Sequence, residues 1–79
     1  MSENMRLLSI IGKTFQPTNE DQFKFILRIA KAVPFIDKDM YSHNIISLCL
    51  SGLDESGYDV EKVIKAFDLD KKGWKSIND

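Results

Sequence analysis

The stretch at residues 18–33, TNEDQFKFILRIAKAV, limits most sharply what this chain can fold into. Placed at 100° per residue, Phe23, Ile26, Leu27, Ala30 and Val33 fall on one side. Phe25, Ile29 and Ala32 widen that side, and Lys24, Arg28 and Lys31 make a narrow charged stripe opposite. A helix apolar over more than half its circumference needs neighbours on several sides. The local signals for its start agree. Pro17 stands just outside, Thr18 is the expected N-cap, and Glu20 and Asp21 sit in the first turn. There a carboxylate meets the positive end of the helix dipole, and Thr18-x-x-Asp21 reads as a capping box. Pro34 disfavours helical geometry at Val33 and sets the stop. The expected fold is all-α: one small domain, a compact bundle of four to five short helices around a central helix at about residues 18–33.

The other helices follow from the same signals. Residues 2–12 read as a first helix, capped by Ser2 and ended by Gly12, with Leu7, Leu8 and Ile11 on one face and Met5 and Ile10 flanking. Phe15, in the linker beyond, is expected to pack inward. After the apolar connector Pro34, Phe35 and Ile36, Asp37 or Asp39 caps a third helix running to about Ser51. Tyr41, Ile45, Leu48 and Cys49 are read as its core face, extended by Ile46, Leu50 and Leu53. Its other face carries His43, Asn44, Ser47 and Ser51, polar yet without charge. Asp59 caps a fourth helix with Val60, Val63, Ile64 and Phe67 inward, and a last short helix is expected from about Asp70 to Ile77.

A chain of 79 residues buries a modest share of its surface, so its core must be efficient or a partner must help. Eleven basic and twelve acidic side chains leave a net charge of −1, which gives no general pull towards nucleic acid or an anionic membrane. The longest uncharged run, residues 40–53, is too short to cross a bilayer as a helix, so no membrane is expected. A lone cysteine, Cys49, between Leu48 and Leu50, reads as a buried thiol. With no disulfide framework and no signal-peptide pattern, the expected compartment is the cytoplasm. One histidine and one cysteine are too few for an ordinary zinc site, and no nucleophile elbow surrounds any serine. The Asp-Ser-Leu motif of acyl carrier proteins is missing, and so is their acidity. No catalytic residue, metal ligand or cofactor is expected.

The C-terminal stretch fits two templates. Val63, Phe67, Leu69, Trp74 and Ile77 are spaced so that two short helices joined by a tight turn can share one small core. Residues 63–77 thereby resemble the helix-turn-helix of phage-type repressors. The resemblance implies DNA binding, with Lys71, Lys72 and Lys75 meeting phosphates from the second helix. The chain departs from that pattern at Asp68, where the turn usually has Gly, and at Ile64, where a small residue is usual. No Arg, Gln or Asn projects early from the second helix to read a base. Residues 67–79 are also similar to an EF-hand loop, with Asp68, Asp70, Gly73, Ser76 and Asp79 at loop positions 1, 3, 6, 9 and 12. Lys72 and Lys75 stand in that loop where a ligand oxygen and an aliphatic residue belong.

The expected function is non-enzymatic: a small regulatory protein that binds a macromolecular partner, another protein ahead of nucleic acid. Self-association is the other form of protein contact. The expected surface is His43, Asn44, Ser47 and Ser51, because interface centres are poor in charge. A helix-turn-helix DNA-binding regulator is the alternative, and degenerate calcium binding comes third.

Overall fold

The structure is a computed structural model and describes residues 3–72, with side chains described over 6–70. Four α-helices follow one another: α1 (Glu3–Phe15), α2 (Glu20–Ala32), α3 (Met40–Glu55) and α4 (Val60–Ala66). Short 3-10 turns at Val33–Phe35 and Leu69–Lys72 complete the order. The chain is an all-α bundle, and α2 is its centre, packed against both α1 and α3.

The start of α2 differs from the expectation by one residue. Asn19, not Thr18, is the N-cap; its side chain accepts a bond from the Gln22 backbone N–H at 2.9 Å. Gln22 is buried to 2 % exposure. Its Oε1 accepts from Thr18 N–H at 2.8 Å and from Thr18 Oγ1 at 2.9 Å, while its Nε2 donates to the Ser56 carbonyl at 3.2 Å. One amide side chain therefore closes the cap and ties the start of α2 to the end of α3. The two helices run antiparallel. The ring of Phe25 lies against Gly52, where a Cβ would sit 2.6 Å from the ring edge, so α2 and α3 approach closely there.

Burial on α2 centres on Gln22, Ile26, Ile29 and Ala32, with Phe23, Phe25, Leu27 and Val33 partly covered around them. The expected core side is thus rolled, and Phe23 lies at its margin. α1 runs through Gly12 to Phe15 instead of stopping at Gly12. Ile11 and Phe15, one turn apart, are both buried, and continuing the helix keeps them on one stripe. The stop comes at Gln16, which takes φ 47° ahead of Pro17.

α3 also runs past its expected end at Ser51 to Glu55. Gly57 at φ 86° ends it, with Gly57 N–H donating to the Asp54 carbonyl at 3.1 Å and Tyr58 N–H to the Leu53 carbonyl at 3.0 Å. These are the paired bonds of a Schellman cap, and the left-handed position suits Gly. At its other end Asp39 caps α3 by accepting from Ser42 N–H at 2.6 Å. α4 starts at Asp59 as expected, with Val63 and Ile64 buried. Tyr58 Oη donates to the Phe15 carbonyl at 2.7 Å, and the Phe15 and Phe67 rings stack at 5.4 Å. Both contacts fasten the end of α1. Leu69 is fully buried after the turn; Trp74 and Ile77 of the expected last helix lie outside the described residues.

Candidate functional site

The roll of α3 about its own axis decides what the protein shows to its surroundings. Two apolar stripes compete on this helix. Ile46, Leu50 and Leu53, with Cys49, recur at i, i+3, i+4 and i+7 and take the core side together with the small Ser42. The other stripe, Tyr41 and Leu48, which the sequence places on the core face together with Ile45 and Cys49, is left out. Tyr41 and Leu48 are 74 % and 72 % exposed, and Met40 is 74 % exposed; only Ile45, between them, is half-buried. No charged side chain interrupts this outward side until Asp54 and Glu55 in the last turn.

The polar stripe divides across this arrangement. Asn44 is exposed and Ser51 half-exposed, and both flank Leu48 on the outward side. His43 and Ser47 turn away from that side and are half-buried, and Ser47 Oγ donates to the His43 carbonyl at 3.2 Å. The structure thus puts two of the four expected surface residues beside the exposed apolar row. The sequence reading missed the row itself, Met40, Tyr41 and Leu48. The available signal was the uncharged run over residues 40–53, which leaves the helix without a charged face for solvent.

Beside the row, between α2 and α3, lies an open cleft of about 410 Å³. Ala32, Phe35, Tyr41, Ser42 and Ile45 form its floor and walls, and Arg28 and Lys31 its margin. Phe35 is half-exposed, and Lys38 Nζ stands 5.9 Å from the centre of its ring. Arg28 and Lys31 form no ion pair among the described residues; Lys24, one turn earlier, pairs loosely with Glu20 at 3.6 Å. The cleft therefore joins apolar side chains to two cations.

The buried Cys49 lies on the opposite side of α3 from this surface. Burial pushes its thiol pKa up, and nearby Arg28 only partly opposes the shift. A thiol held protonated and covered is the reverse of an activated nucleophile. Of the lysines in the DNA-binding alternative, Lys71 and Lys72 belong to the 3-10 turn, and Lys75 lies outside the described residues. Asp68 takes φ 56°, so it fills the left-handed turn position that the repressor pattern gives to Gly. Of the EF-hand positions, Asp68 and Asp70 are described, and Gly73, Ser76 and Asp79 lie outside. No helix among the described residues is long and apolar enough to cross a membrane. Comparison of the chain with protein-family profiles, with curated proteins and with solved structures finds no match.

Proposed function

We propose that this chain is a small non-enzymatic regulator that acts by binding another protein through the outward side of α3. The observation that carries the reading is the exposure of Met40, Tyr41 and Leu48 on one side of one helix, with no charge before Asp54. Large apolar groups gathered on an uncharged helix face cost free energy in water and regain it when covered. Tyr and Met are also among the residues enriched where proteins meet. Tyr41 and Leu48 stand two turns apart, the spacing at which a helix presents anchors to a partner. The cations at the cleft margin add direction to that contact.

The test is affinity capture with the full chain and with Leu48→Arg, each followed by identification of the retained proteins. Leu48 is exposed, so the substitution leaves the core alone. The reading expects a defined partner that wild type retains and Leu48→Arg loses. Equal retention by both proteins, or none by either, counts against it.

A second reading, DNA binding, is favoured by one observation: Asp68 is left-handed and Leu69 fully buried directly after α4, as a helix-turn-helix requires. It expects duplex binding that weakens steeply with salt and is reduced in Lys71→Ala and Lys72→Ala. A flat titration at low salt disposes of it.

A further inference from the structure

We propose that two copies of this chain pair through the outward sides of α3, antiparallel, about a two-fold axis passing beside Leu48. The inference rests on the reading of that side as a protein-binding surface and names a second copy as an occupant.

A two-fold interface must be complementary to itself: if residue i meets residue j, then j meets i. The outward row of α3 meets that condition about Leu48. Tyr41 and Glu55 lie seven residues to either side, and Ile45 and Ser51 three. Antiparallel pairing at this centre sets Leu48 on its copy, Ile45 over the small Ser51, and Tyr41 beside Glu55. The small side chain of Ser51 permits the two backbones to approach.

The charges obey the same symmetry. At the half of the row that holds Tyr41 and Ile45, Arg28, Lys31 and Lys38 outnumber the exposed Asp37 and Asp39, and Arg28 and Lys31 form no ion pair among the described residues. Asp54 and Glu55 mark the other half. Glu20 and Asp21 start α2 at that same end, with Lys24 loosely paired to Glu20, since α2 and α3 run antiparallel. A two-fold rotation carries the cationic end of each copy onto the acidic end of the other, and does so twice. Parallel pairing would set like charges together. A uniformly acidic partner would suit Arg28 and Lys31 but meet repulsion at Glu55, so a second copy matches the whole length of the face better. A standard interface covers about 800 Å² per copy. That is about one seventh of the 5506 Å² this fold exposes.

The dimer and a complex with another protein draw on one face, so they compete. Sedimentation of the full chain from about 1 μM to about 1 mM reads the equilibrium. The wild type is expected to pass from monomer to dimer within that range. Leu48→Arg, which places two cations at the axis, is expected to raise Kd at least about thirtyfold. Its circular dichroism should match wild type. Arg28→Glu and Glu55→Arg are each expected to weaken pairing about tenfold, and the combined variant to recover most of the loss, because the charges are then exchanged rather than removed. A wild type that stays monomeric to about 1 mM overturns the proposal, as does a Leu48→Arg dimer of wild-type strength or a charge exchange that recovers nothing. A monomeric wild type whose captured partner is lost in Leu48→Arg ends the dimer and leaves the protein-binding reading standing. A monomer without Leu48-dependent capture ends both.

Discussion

Gln22→Met is the substitution that tests the fold most directly. Met has nearly the length of Gln and no strong polar group, so it fills the same space while removing three hydrogen bonds. The Thr18 hydroxyl loses little, since Thr18 is exposed and its Oγ1 can turn to water. Two backbone groups lose more: the Thr18 N–H, bonded to Oε1 at 2.8 Å, and the Ser56 carbonyl, which accepts from Nε2 at 3.2 Å. Each such bond contributes about 0.5–1.5 kcal/mol net, and a backbone group left dry costs about 1–3 kcal/mol. Burying the thioether returns up to about 1 kcal/mol. The expected net loss is about 1–3 kcal/mol, a large part of the roughly 4–12 kcal/mol that a domain this size has. Urea denaturation followed by circular dichroism should show a midpoint lower by about 1–3 M, taking a slope near the low end of about 1 kcal/mol/M. Thr18→Ala removes only the hydroxyl bond and should cost under about 1 kcal/mol. A Gln22→Met loss below about 0.5 kcal/mol at unchanged slope refutes the view that this amide clamps α2 to α3.

Ile26→Ala should cost about 2–5 kcal/mol by chemical denaturation, and Phe23→Ala less than the usual aromatic truncation because Phe23 is only partly covered; the reverse order contradicts the observed roll of α2. Stability should fall in alkali. Burial raises the Cys49 thiol above its ordinary 9.0; burial, then the Asp59 carboxylate, raises the Tyr58 phenol above its ordinary 10.0. The folded chain holds both protons more tightly than the unfolded one, so stability is full below those ordinary values and is lost as pH rises through the raised ones. Tyr58→Phe should cost about 0.5–1.5 kcal/mol at neutral pH and make the alkaline fall shallower; an unchanged fall in Tyr58→Phe denies the phenol its part. Asp68→Val should destabilise by about 1–2 kcal/mol, since β-branched residues resist the left-handed region, while Asp68→Gly should not; equal thermal midpoints for the two would contradict φ 56°.

Local signals carried most of the secondary structure. Asp59 caps the helix it was expected to cap, Asp39 is the one of the two candidates, Asp37 and Asp39, that caps α3, and Val63 and Ile64 face inward, because caps and short apolar repeats depend on neighbours in sequence. Gly12 misled because a glycine marks a helix end only when no apolar residue beyond it needs the same stripe, and here Phe15 does. Gln22 was unreadable for another reason: the Ser56 carbonyl that makes its burial tolerable lies 34 residues away. The core face of α3 was read too wide: Cys49, Ile46, Leu50 and Leu53 are buried as expected, but Tyr41 and Leu48 are not, because both stripes are apolar and only the position of α2 decides between them. Asn44 and Ser51 were found as neighbours of the candidate site because absence of charge is visible in sequence. The apolar centre of the site was hidden for as long as its residues were assigned to the core.

The contacts at Phe15 bear on the order in which the fold comes together. α2 and α3 are joined by a connector of only seven residues, 33–39, so their pairing closes a short loop. The end of α1 is held instead by Tyr58, 43 positions later, and by the still more distant Phe67. Contacts so far apart in sequence bring their loop-closure cost before any return, and they form late. The Phe15 contacts, rather than the packing of α1 on its neighbour α2, are therefore the ones expected to open locally ahead of global unfolding. The outward side of α3 takes no part in either Phe15 contact. A chain that has released the end of α1 still displays Tyr41 and Leu48, so the proposed binding surface does not depend on the Phe15 contacts.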